Sequence, residues 1–153
     1  MRILSFITAA AFVATMPLAA YADCVNNPTS NGALSATQLT SLLGGKIACV
    51  AGGFGWENQE YHSGTATGSI IDYKHGAPGA GVVDQTLTIG TYAVTGTTNG
   101  QVTYSYTGGG TYTYYVLGNS APTTPRAGTY FFCTTFGGSA ITVKVEAGSG
   151  PCV

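Results

Sequence analysis

Residues 101–117, with the sequence "QVTYSYTGGGTYTYYVL", have the pattern of an aromatic β-hairpin. Tyrosine alternates with threonine or serine on both sides of a glycine run, and a period of two places successive side chains on opposite faces of a strand. Glycines at 108–110 tolerate the positive φ values that a tight turn needs. Cross-strand pairs of tyrosine and threonine stabilise sheets, so we interpret these tyrosines first as sheet-forming residues.

The same alternation continues through the chain from Lys46, interrupted by Gly or Pro about every ten residues. The clearest example is "AITVKVEA" at 140–147, where Ile141, Val143 and Val145 share one face. This pattern predicts eight antiparallel strands. They are expected near residues 45–51, 54–62, 67–74, 86–96, 101–107, 111–118, 128–136 and 139–146.

A short helix is predicted before the first strand. Ser35 followed by Gln38 forms a capping-box pattern, and "TQLTSLL" at 37–43 ends at Gly44. The leucines of this segment, Leu39, Leu42 and Leu43, would form one apolar face. Such a face has to be buried against another part of the protein.

Eight meandering strands after one short helix predict an all-β fold, a small antiparallel up-and-down barrel of lipocalin- or avidin-like shape. The helix would plug one mouth or pack on the wall. The stretches "LLGGKIACV" at 42–50 and "IGTYAV" at 89–94 are similar to strand openings of those two families, without their full Gly-x-Trp motif. The alternative is an immunoglobulin-like β-sandwich, although Phe131 stands where that family has a tyrosine.

The N-terminal residues 1–22 have the features of a signal peptide, with Arg2, an apolar run and small residues at Ala20 and Ala22. We therefore expect one secreted or periplasmic β-domain over residues 23–153, without a membrane anchor. The whole chain has five Lys and Arg against six Asp and Glu. Without a basic patch, nucleic acid is not an expected partner.

All four cysteines lie after residue 22, and an even number in an exported domain predicts two disulfides. Closure of the barrel would bring both chain ends together, which favours Cys24–Cys152 and leaves Cys49 with Cys133. Those two lie on strands one and seven, which are not neighbours in a meander. A disulfide needs Cα atoms within about 7 Å, so this second pair is in tension with the barrel.

The candidate site lies in "GWENQEYH" at 55–62. In a regular strand Trp56, Asn58, Glu60 and His62 share one face, and Asp72 follows on the next strand. Seven of the twelve Asp, Glu, Lys, Arg and His side chains after residue 22 lie between Glu57 and Asp84. We predict that residues 54–75 form the wall of a ligand-binding mouth, with the tryptophan as an apolar platform and the other four residues as polar contacts.

Three function classes fit these residues. The first is a secreted protein that binds a sugar or small amphipathic molecule, without a cofactor. The second is a structural or surface-interaction protein with a protein partner. The third is a hydrolase that uses Glu60 and Asp72, since Glu57 and Glu60 would diverge across their strand. No complete catalytic constellation is present, so an enzyme is not expected.

A metal site is the remaining candidate in this part of the sequence. Glu60, His62, Asp72 and His75 have side chains of the types that ligate metals, and residues two apart on a strand share a face. Their spacing matches no specific ligand signature. No metal is therefore predicted.

Overall fold

The computed structural model describes Cys24 and residues 33–52, 55–73, 87–117, 128–134 and 140–153. Within these residues a helix precedes eight strands, at positions within about two residues of those predicted. The elements are α1 (Ala36–Leu43), β1 (Lys46–Gly52), β2 (Gly55–Gly64), β3 (Thr67–Asp72), β4 (Leu87–Thr95), β5 (Gln101–Tyr106), β6 (Thr111–Leu117), β7 (Thr129–Thr134) and β8 (Ala140–Ala147).

The eight strands form a closed antiparallel up-and-down barrel. Each strand pairs with the strands before and after it in the chain, and β1 pairs with both β2 and β8. In β1, for example, Ile47 lies opposite Tyr61 on one side and Glu146 on the other. The predicted barrel is therefore confirmed over the sandwich.

The helix begins at the predicted capping box. The Gln38 N–H donates to the Ser35 hydroxyl (3.3 Å), and the Ser35 N–H donates to the Gln38 side-chain oxygen (2.8 Å). Its three leucines are buried in the barrel's interior cluster. The turn between β4 and β5 holds the helix start, since Gly100 N–H donates to the Leu34 carbonyl at 2.8 Å. The helix thus closes one end of the barrel.

Alternation along the strands separates an inner face from an outer one. The inner face carries one apolar cluster that includes Ala48, Tyr104, Phe132 and Val143. The sequence neighbours of Ala48 and Phe132 lie in two separate outer clusters, each built around a disulfide. One strand can therefore contribute to the barrel interior and to an outer cluster at once.

The disulfides connect the cysteines differently from the prediction. Cys24 pairs with Cys133, with Cα atoms 5.5 Å apart, and Cys49 pairs with Cys152, with Cα atoms 6.1 Å apart. The predicted Cys49–Cys133 bond is wrong because β8 lies between β1 and β7, and two strand spacings come to about 9–10 Å. Cys24 is instead bound to β7, and Cys152 is bound to β1.

Candidate ligand-binding cavity

The barrel encloses a cavity of about 490 Å³ in the half away from α1. Its apolar wall comes from inward-facing residues of several strands, among them Val50, Ile89, Ile141 and Val143. Asn58 also lines the cavity and is exposed. The cavity therefore reaches the surface near the start of β2, and its size falls in the range of small-molecule sites.

Two carboxyl groups lie side by side on one wall of this cavity. Glu60 of β2 is the direct cross-strand partner of Asp72 of β3, and both residues line the cavity. Directly opposite residues of an antiparallel pair have Cβ atoms about 5 Å apart. Asp72 is only 5% exposed, whereas Glu60 is half-buried. A ligand that enters this half of the barrel therefore meets two carboxyl groups together.

Four tyrosines of the β5–β6 hairpin face the same cavity, namely Tyr104, Tyr106, Tyr112 and Tyr114. The rings of Tyr104 and Tyr106 are nearly parallel, with centroids 6.2 Å apart. Tyr112 meets Tyr106 edge to face at 6.0 Å. We call these four residues the tyrosine wall.

The tyrosine wall is coupled to the carboxyl pair. The Tyr106 hydroxyl lies 3.0 Å from both carboxylate oxygens of Glu60 and donates a hydrogen bond to that group. Burial, followed by the negative charge of Glu60, raises the pKa of Tyr104, Tyr106 and Tyr114. These hydroxyls consequently stay neutral at ordinary pH and remain able to donate hydrogen bonds.

His62 lies deeper in the interior and is fully buried. Its Nδ1 faces the Lys46 carbonyl at 3.3 Å and its Nε2 faces the Tyr104 hydroxyl at 2.9 Å. Burial lowers the pKa of His62 from 6.5 to about 4, against the opposing effect of its backbone hydrogen bonds. The imidazole is therefore neutral at pH 7. Because a carbonyl oxygen only accepts, Nδ1 carries the proton and Nε2 accepts from the tyrosine.

Trp56 lies on the outer face, so the prediction that it shares a face with Glu60 and His62 is wrong. The β1–β2 register shifts at a β-bulge, where Val50 pairs with Asn58 but Ala51 pairs with Trp56. The extra residue reverses the alternation on β2. The indole therefore packs into the outer cluster of the Cys49–Cys152 disulfide, with the Lys144 ammonium 5.5 Å from its ring centre.

Of the five residues predicted to bind a ligand, the structure brings three together at the cavity: Asn58, Glu60 and Asp72. His62 lies beneath the tyrosine wall, in contact with Tyr104. From the sequence, the tyrosines are interpreted first as sheet-forming residues and are not among the five predicted residues. The four tyrosines have even numbers, and Tyr104 lies opposite Tyr112, so all four share one face of the hairpin. That shared face is the sequence signal that they could line a lumen.

Several residues of the predicted cluster fall outside the described part of the chain. These are Lys74, His75, Asp84 and the side chain of Glu57. Among the described residues, no group of three or more His, Cys, Asp and Glu is arranged to hold a metal ion. The helical structure described here lacks the length and hydropathy of a membrane-spanning helix.

Comparison of the chain with protein-family models, curated proteins and solved structures finds no match.

Proposed function

We propose that the barrel binds a small amphipathic molecule in its lumen, with the carboxyl pair and the tyrosine wall as polar contacts. The observation that carries this proposal is the cavity of about 490 Å³, whose wall is mostly apolar and whose polar groups converge on one side. Small-molecule sites combine an apolar lining with a few placed polar groups in the same way. Glu60, held by the Tyr106 hydroxyl, supplies an oriented acceptor.

The other function classes fit this arrangement less well. Glu60 and Asp72 project from neighbouring strands of one wall, whereas a glycosidase needs carboxyl groups on both sides of the bond that it cleaves. Self-association through sheet edges needs a strand with a free side. Each of the eight described strands pairs with two others, so the barrel favours a ligand in its interior.

Export to an oxidising compartment is part of the same proposal. Two disulfides join described cysteines, and structural disulfides persist mainly outside the reducing cytosol. The apolar leader at residues 1–22 has the features of a secretory signal. Both observations support a binding protein that meets its ligand outside the cytoplasm.

Filling the lumen tests the proposal. Ile89 lines the cavity, and Ile89→Trp would occupy part of it while leaving both carboxyl residues unsubstituted. The probe is the neutral dye N-phenyl-1-naphthylamine, whose emission rises in apolar surroundings. We expect saturable binding to the wild-type protein and a loss of at least about tenfold in affinity, or about 1.4 kcal/mol, in the variant.

The matched control is Thr91→Trp, which adds the same ring two residues along β4 at an exposed position. It should leave dye binding unchanged, as should Trp56→Ala on the outer face. Circular dichroism would verify that all variants retain the β-fold. The proposal is wrong if the wild-type protein shows no saturable binding, or if a folded Ile89→Trp protein binds the dye as well as the control does.

A further inference from the structure

The chemistry of the carboxyl pair bears on the class of ligand. Glu60 and Asp72 point into the cavity from directly opposed positions on β2 and β3. The Asp72 side chain lies almost out of contact with bulk solvent. A ligand group placed between them would be within reach of oxygen atoms from two carboxyl groups, and such groups favour donors that carry positive charge.

The tyrosine wall is a second, independent reason to expect a positively charged ligand group. Its four rings surround one side of the cavity, in stacked and edge-to-face contacts at 5.9–6.2 Å. Aromatic faces present negative potential and attract ammonium groups, and cages of such rings are a known solution for binding amines. Their apolar edges also accept the hydrocarbon body of a ligand.

Glu60 brings a negative charge to the described part of this wall. Glu60 contributes to the raised pKa of Tyr104, Tyr106 and Tyr114, so its charge acts on three of the four residues of the tyrosine wall. Beneath the wall, burial lowers the pKa of His62 to about 4, and its ring adds no positive charge at neutral pH. A ligand carboxylate would therefore meet repulsion in this part of the barrel, whereas a cation would meet attraction.

From this geometry we infer that the lumen selects ligands with a protonated amine at one end of an aromatic or apolar body. The ammonium group lies between Glu60 and Asp72 and against the tyrosine wall. The body of the ligand extends along the apolar wall formed by Val50, Ile89 and Val143. This inference rests on the proposed function, because it assigns a ligand class to the same cavity.

Three probes with one body and different end groups test the inference: 2-phenylethylamine, 2-phenylethanol and phenylacetate. Each is titrated calorimetrically at pH 7 and used to displace N-phenyl-1-naphthylamine. We expect the amine to bind at least about tenfold more tightly than the alcohol, and phenylacetate to bind most weakly. Equal or tighter binding of the alcohol or the acid overturns the inference.

Charge removal at the wall gives the second arm of the test. Glu60→Gln keeps the size of the side chain and should lower affinity for the amine by about tenfold, while affinity for the alcohol changes less than about twofold. Glu146→Gln is the matched control, because Glu146 is paired with Lys144 outside the cavity. The control should leave the preference for the amine intact. An unchanged preference in folded Glu60→Gln contradicts the inference.

The two proposals fail in different ways. If the alcohol binds as tightly as the amine and Ile89→Trp abolishes both, the amine inference is wrong and lumen binding stands. If the amine binds but Ile89→Trp has no effect, the lumen is not the site and both proposals fail. Should Glu60→Gln not fold, Asp72→Asn replaces it in the same titrations, and the ratio of amine to alcohol affinity in the wild-type protein still decides.

Discussion

At the scale of single residues, His62 links the closed end of the barrel to the cavity. It receives a hydrogen bond from Tyr104, donates one to the Lys46 carbonyl and meets the Tyr92 ring edge to face at 4.7 Å. Both ring nitrogens thus have partners in the neutral form, and burial disfavours the charged form. Burial lowers the pKa of such a group in the folded protein but not in the unfolded chain. The free energy of unfolding therefore depends on pH.

Replacing His62 by Gln is predicted to remove this pH dependence. The histidine titrates near 6.5 when unfolded and near 4 when folded, so its stabilising contribution is complete above pH 6.5 and declines as pH falls towards 4. The decline amounts to about 3 kcal/mol. Glutamine keeps one donor and one acceptor without a charge change. Urea unfolding at pH 7.5 and pH 4 should show His62→Gln losing less stability than wild type; parallel losses would refute the prediction.

At the scale of elements, close approach between backbones joins the helix to the barrel. A Cβ added at Gly100 would lie 2.6 Å from the Ala36 nitrogen and 2.7 Å from the Ser35 carbonyl carbon. The same glycine donates its N–H to Leu34. Any larger residue would push the helix start away from the turn between β4 and β5, and with it the buried leucines.

Gly100→Ala is therefore expected to reduce the free energy of unfolding by about 1–3 kcal/mol, through overpacking at the helix start. Gly150→Ala is the matched control, since a Cβ there has no neighbour within 4 Å. Denaturant titration of the two variants gives the comparison. Equal stability of both would show that the helix adjusts to the extra methyl group at no cost.

At the scale of the whole molecule, the two disulfides bind segments outside the strands to the two neighbours of β8 in the barrel wall. Cys24 is bound to β7, and Cys152 is bound to β1. The C-terminal segment is held further by the Gln59 side-chain oxygen, which accepts from the Cys152 N–H at 2.7 Å. The Tyr73 hydroxyl donates to the Ser149 carbonyl at 2.6 Å. The C-terminal segment thus forms a second layer over the outer face of β1 and β2.

Peptide mapping without reduction should yield Cys24–Cys133 and Cys49–Cys152 as the linked pairs. Their sequence separations are 109 and 103 residues, and cross-links that close such long loops restrict the unfolded chain strongly. Removing Cys49 and Cys152 together is expected to lower the free energy of unfolding by about 2–5 kcal/mol. Recovery of a Cys49–Cys133 peptide from native protein would contradict the observed strand order.

The candidate site was only partly predictable from the sequence. Asn58, Glu60 and Asp72 were expected to lie together, and strand alternation with the β2–β3 hairpin was enough to place them. Trp56 was misplaced because a bulge depends on how two strands pair, and pairing is not visible in one strand's periodicity. The tyrosines were correctly assigned to a hairpin, but their inward direction depends on the closure of the sheet.

The sequence by itself determined the elements of this protein, because their causes are local. A capping box begins the helix, period-two alternation defines eight strands, and glycine turns separate them. The tertiary structure decided which side chains face the lumen and which cysteines form disulfides. Those outcomes depend on register, on one bulge and on β8 lying between β1 and β7, all of which arise only when distant strands pair around the barrel.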